Sequence, residues 1–181
     1  MTYLQIGSWA VLLGVFVVAL AGKIRKRAAF DEFRASIAAL RVLPRRWSLP
    51  VAVAVAATEA TVVVLLALPI TALVGVSLAV ALLAAFTTGI VLALRQGQRA
   101  PCRCFGASAT PLGPTHVVRN LVLMAVGSAG LLAAFVSEAT TAARPHPAGV
   151  AVTLATAAVA VLLVVRLDDL TALFTSHAPT R

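Results

Sequence analysis

Cysteine is almost missing from this chain: two residues in 181. They stand one residue apart in Pro101-Cys102-Arg103-Cys104-Phe105-Gly106. A framework of several disulfides is therefore excluded, and so is relay between two cysteine pairs. Histidine is scarce too, with three residues, and no two face one another inside an apolar run. That argues against a membrane haem held by paired histidines. A metal site usually needs three or four ligands, and only His116 lies near the cysteines, so two chains would have to complete one. No metal site is expected. Aromatic residues make up 6% of the chain and do not interleave with a basic stripe. The net charge of +9 is thus no sign of a nucleic-acid partner. Lys and Arg are missing from Met1 to Trp9. A secretory leader begins with a basic segment, so the first apolar run is expected to stay as a helix with its N-terminus outside.

What is present is hydrophobic residue in long runs, 61% of the chain, at a mean hydropathy of +1.00. Each run approaches the roughly 20 residues that cross a bilayer as a helix. The expected fold is all-α: a polytopic membrane bundle with a four-helix core and a fifth, C-terminal transmembrane helix, in one membrane domain over residues 1–170. Five spans are read at about 3–21, 49–68, 70–94, 116–136 and 149–165. Ser48 and Pro50 open the second as candidate N-cap and first-turn residues, and Pro114 and Thr115 precede the fourth. Residues 49–94 as one helix would run about 69 Å, against a hydrocarbon core of about 30 Å. The chain must turn at Pro69, which pushes Leu68 out of helical geometry, with Thr71 able to cap the next helix. Residues 171–181 are expected to be a disordered tail.

Between the first two spans, Phe30, Phe33, Ile37 and Leu40 recur at helical spacing while Asp31, Glu32, Arg34 and Arg41 face elsewhere. This predicts an amphipathic helix over about 29–43, lying on the membrane surface. It covers the end of the bundle or forms a lid over the cysteines. Ala10 with Gly14, Gly75 with Ala79, and Gly127 with Gly130 are spaced for close helix packing. Lys23, Arg25, Lys26, Arg27, Arg34, Arg41, Arg45, Arg46, Arg95, Arg99 and Arg103 all fall on the side of the cysteine loop, and Arg144 alone on the other. The positive-inside rule then sets a multi-pass cell-membrane protein with the cysteine loop cytoplasmic.

Two groups of residues are candidates for chemistry. The first is the dithiol. A disulfide between Cys102 and Cys104 closes a very small ring, whose strain makes it easy to reduce. Arg103 and the helix start downstream favour thiolate. Redox exchange, metal ligation and an incidental or structural role remain open for the pair. Cys104 is taken as the more acidic thiol and Cys102 as the resolving one. His116 is either a proton donor to a leaving thiolate or a solvated cap. The second group is a buried polar link. Glu59 lies about ten residues into its span, roughly 15 Å deep. A carboxylate there is protonated or paired with a cation. Arg119 is the preferred partner and Lys23 the second, with Asn120 bonding across helices. The link either clamps helices or moves protons.

These residues together resemble the MauE family of methylamine-utilisation membrane proteins, and more loosely the DoxX-like redox-associated membrane proteins. The matching positions are Lys23, Phe30, Glu59, the Pro-Cys-Arg-Cys-Phe-Gly string and Arg119-Asn120, over about Gly7 to Leu132. The resemblance implies a role in disulfide formation or maturation of a partner, alongside a thioredoxin-like protein or an oxidoreductase subunit. Within the family that role is tied to methylamine dehydrogenase. The arrangement also looks like the helical bundles that pass electrons between thiols and quinone, which makes a quinone the cofactor to consider. Those bundles carry CxxC and a second Cys pair, and this chain has neither. The family role implies thiols on the outer face, whereas the Lys and Arg count puts them inside; the count is read from this chain and prevails here. The alternative to thiol chemistry is a non-catalytic scaffold that docks such a partner through the loop.

Overall fold

The computed structural model describes residues 2–40, 42, 44–97, 113–138 and 145–175, with side chains from Tyr3 to Leu167 among them. Six helices make up the described chain: α1 (Thr2–Ile24), α2 (Arg27–Ala39), α3 (Ser48–Ala67), α4 (Ala72–Arg95), α5 (Pro114–Glu138) and α6 (Pro147–Thr175). One-turn 3₁₀ segments, Arg45–Trp47 and Pro69–Thr71, lead into α3 and α4. No strand occurs among the described residues. All but α2 are long and apolar enough to cross a membrane. The protein is an all-α polytopic bundle. Helix α6 runs on to Thr175, past the span end and the tail start read from sequence, and residues 176–181 lie outside the described residues.

The helices alternate in direction. Close approaches fix their registers. Ser8 lies against Gly130 and Leu12 against Gly127, so α5 runs antiparallel to α1, and Val80 of α4 also lies against Gly127. Tyr3 meets Gly149, Gly7 meets Thr153 and Gly14 meets Val161, so α6 runs parallel to α1. At these glycines a Cβ would strike its neighbour: at Gly127 it would come 2.7 Å from Val80, and at Gly14 2.8 Å from Val161. Small residues let backbones approach where lipid supplies no hydrophobic drive between helices. α1, α3, α4 and α5 close the central bundle around Leu12, Val15, Phe16, Val62, Leu66, Leu83 and Leu123. α6 packs on the outside of α1.

Backbone ends in an apolar medium need partners. The turn after α3 shows how they are found. Leu68 is extended, with φ −108° and ψ 119°, as Pro69 demands. The last carbonyls of α3 then lack helical donors. The Thr71 hydroxyl donates to the Leu65 carbonyl at 2.8 Å, and the Trp9 indole donates to the Leu66 carbonyl. Thr71 thus flanks α4 but makes no side-chain cap there; its hydroxyl closes the hairpin instead. Ser48, expected as an N-cap, is the first residue of α3 and makes no cap bond. Its hydroxyl takes a long contact, 3.5 Å, from Arg34 Nε of α2. Thr58, Thr61, Ser77, Thr87, Thr88, Thr153 and Thr156 each donate to the carbonyl four residues back, so no hydroxyl among them faces hydrocarbon bare.

Candidate functional site

The end of the bundle that holds the C-termini of α1 and α4 and the N-termini of α3 and α5 carries the charged and polar interior. Lys23 is in the last turn of α1 and 2% exposed, and Glu59 is mid-α3 and 1% exposed. Side chains on a helix lean toward its N-terminus. In α1 that lean carries Lys23 inward from the bundle end. In antiparallel α3 it carries Glu59 outward to the same end. The two meet: Lys23 Nζ donates to Glu59 Oε1 at 2.7 Å and Oε2 at 2.9 Å. The preference read from sequence, Glu59 with Arg119, is thereby corrected. Both carboxylate oxygens are taken by Lys23, because a lysine of an antiparallel neighbour points straight down at Glu59.

Helix α2 joins this pair. Its first residues follow an extended Lys26, and the helix then lies against α1 and α3. Phe33 and Ser36 are its buried residues, while Asp31, Glu32 and Arg34 are exposed. The Phe33 ring lies 4.9 Å from Lys23 Nζ, a cation–π contact away from water. Phe30 flanks it, with ring centroids 6.4 Å apart. A sequence pattern alone shows that Phe33 is on the apolar face of α2. It does not show which cation that face meets.

The second polar group sits at the start of α5. Pro114 opens the helix, and the His116 amide donates to the Gly113 carbonyl at 3.2 Å. His116, Arg119 and Asn120 are buried, at 2%, 4% and 0% exposure. Arg119 Nη2 donates to His116 Nδ1 at 3.3 Å. His116 is therefore neither a surface cap nor open to solvent. The α1–α5 register brings His116 level with Lys23.

Cys102, Arg103 and Cys104 lie outside the described residues, as do Arg99, Phe105 and Gly106. The segment that holds them joins Gly97, after α4, to Gly113, before α5. Among the described residues no cluster of His, Cys, Asp and Glu is arranged to hold a metal.

Beside the ion pair an apolar cavity of about 230 Å³ opens between α2, α3 and α4, walled by Phe33, Ile37, Val51, Val55, Leu82 and Phe86 among others. Its walls would accept a ring or a hydrocarbon chain. The described residues that line it are all apolar, so none of those side chains can donate to a quinone oxygen.

An all-α bundle with interior Lys and Glu, a helix docked on that pair, and a cysteine string between two of its spans defines a polytopic membrane protein with a buried polar interior. The family model described as methylamine utilisation protein MauE matches residues 1–135, and the chain belongs to that family. No curated protein and no solved structure matches the chain.

Proposed function

We propose that the protein is a membrane thiol-redox component. In this reading a Cys102–Cys104 disulfide exchanges with the thiols of a partner, a thioredoxin-like protein or an oxidoreductase subunit, and so supports disulfide formation there. The observation that carries the reading is the sequence string itself: the chain's only two cysteines, a residue apart with Arg103 between them, in the segment that joins α4 to α5. The helix ends on either side of that segment belong to the bundle end with the buried Lys23–Glu59 and His116–Arg119 pairs. In exchange, a partner's two thiols give two electrons to the Cys102–Cys104 bond. The partner gains its disulfide, and this chain's sulfurs become thiols. Arg103 favours the thiolate that leaves, and His116 is the nearest titratable group on the α5 side. Cytoplasmic placement of the segment, with the N-terminus outside, belongs to the same proposal and rests on the basic residues at that end. Methylamine metabolism enters only as the pathway in the family's description.

The test is thiol trapping in membranes across a series of glutathione poises. The expected result is one reversible two-electron transition, lost in Cys102→Ser and in Cys104→Ser. Thiols locked in a single state at every poise would overturn the redox reading.

One observation favours a second reading. Two cysteines leave no second pair to pass electrons onward. As a scaffold, the chain would dock its partner through the loop without exchange. Co-purification that survives Cys102→Ser with Cys104→Ser, with partner oxidation unchanged, would select it.

A further inference from the structure

We infer that Asn120 holds an internal water within a polar layer that crosses the bundle at the level of the Lys23–Glu59 pair. Asn120 is fully buried, at 0% exposure. Neither its Nδ2 nor its Oδ1 has a hydrogen-bond partner among the described residues. An amide side chain presents two donors and an acceptor. Burying it bare is costly, and hydrocarbon on the outside of the bundle offers no relief.

Its depth follows from the α1–α5 register. Ser8 lies against Gly130 and Leu12 against Gly127. Continued along two antiparallel helices of equal rise, that register sets Ala19 opposite Arg119 and Asn120, and Lys23 opposite Thr115 and His116. The Lys23 side chain leans toward the N-terminus of α1, which brings its ammonium to about the level of Ala19. Asn120 also shares one stripe of α5 with His116, Leu123 and Gly127, all at helical spacing. Ser8, Leu12, Ala19 and Lys23 form the stripe of α1 that faces it. The amide and the ammonium therefore look into the same interior from opposite helices.

Zero exposure limits the ligand to something very small. The amide needs an acceptor for Nδ2 and a donor for Oδ1. Water supplies both, and buried waters commonly make about three hydrogen bonds. A water there extends the polar layer from Glu59 and Lys23 toward His116 and Arg119, across a bundle otherwise filled by Val62, Leu83 and Leu123. The inference goes beyond the thiol reading and does not depend on it.

Hydroxyl-radical footprinting of the full chain in lipid nanodiscs tests it, because a radiolytic pulse splits bound water in place and marks its neighbours. Leu123 is one turn from Asn120 and 1% exposed, and Leu66 is equally buried at the far end of the bundle. The expected result is Leu123 labelled severalfold faster than Leu66 in the unaltered protein. That excess should vanish in Asn120→Leu and persist in Asn120→Ser, whose hydroxyl still holds water. Leu123 labelled no faster than Leu66 in the unaltered protein would overturn the inference without any variant having to fold. So would an excess unchanged in Asn120→Leu, or a higher melting temperature for Asn120→Leu with no Leu123 excess, since a bare amide is what Leu would improve upon.

Discussion

Lys23 and Glu59 are 36 positions apart in sequence and share both carboxylate oxygens with one ammonium, at 2.7 and 2.9 Å. The pair ties the end of α1 to the middle of α3. Two charges in an apolar bundle stabilise little by themselves, since desolvation offsets their attraction. Breaking the pair is another matter, because one charge is then left alone.

The first prediction follows from that asymmetry. Glu59→Leu or Lys23→Met alone should destabilise the bundle by about 3–5 kcal/mol, and the double variant should recover most of the loss. Unfolding of the purified protein in mixed micelles, read as a double-mutant cycle, measures this. Single-variant losses that simply add would show that the two residues do not depend on each other.

Phe33 is the second. It is 1% exposed and is the one large apolar residue that α2 buries fully. Phe33→Ala removes both that burial and the contact with the Lys23 ammonium, at a cost of about 3 kcal/mol. The loss should be local, with faster amide exchange across 27–39 and little change in α4 and α5. Uniformly faster exchange in all helices would mean that α2 is an integral part of the core rather than a docked element.

The third concerns the α1–α5 contact. A Cβ on Gly130 would overlap the Ser8 hydroxyl and come 2.9 Å from the Ser8 Cβ. Gly130→Ala should therefore cost about 1–3 kcal/mol through overpacking. Adding Ser8→Gly should restore most of it, as the bulk then moves from one helix to the other. Failure of the paired change to rescue would place the clash elsewhere along α5.

Orientation gives the fourth. A membrane-impermeant maleimide should leave Cys102 and Cys104 unlabelled in intact cells and label them after permeabilisation. Rapid labelling of intact cells would reverse the orientation proposed from the basic residues.

Membrane residence, the number of spans and the family match were legible in the sequence, because lipid imposes its demands residue by residue. A run of about 20 apolar residues, a Pro at a turn, and basic residues at one side each act locally. Pro69 extending Leu68 and Pro114 opening α5 are such cases. That Lys23, Glu59, Arg119 and Asn120 are ionisable or amide groups in apolar runs is plain from the sequence; that His116 is buried with them is not. Their pairing is not plain from it either. Sequence position sets how deep Arg119 or Lys23 starts, but helix direction sets where each side chain leans. Only the antiparallel packing of α1 on α3 turned Lys23 onto Glu59, and only the docking of α2 brought Phe33 to that ammonium. Likewise, Trp9 closing the Leu66 carbonyl and Ser8 fitting against Gly130 depend on which helices become neighbours. That choice is made by the summed fit of many small surfaces, and no single stretch of chain records it.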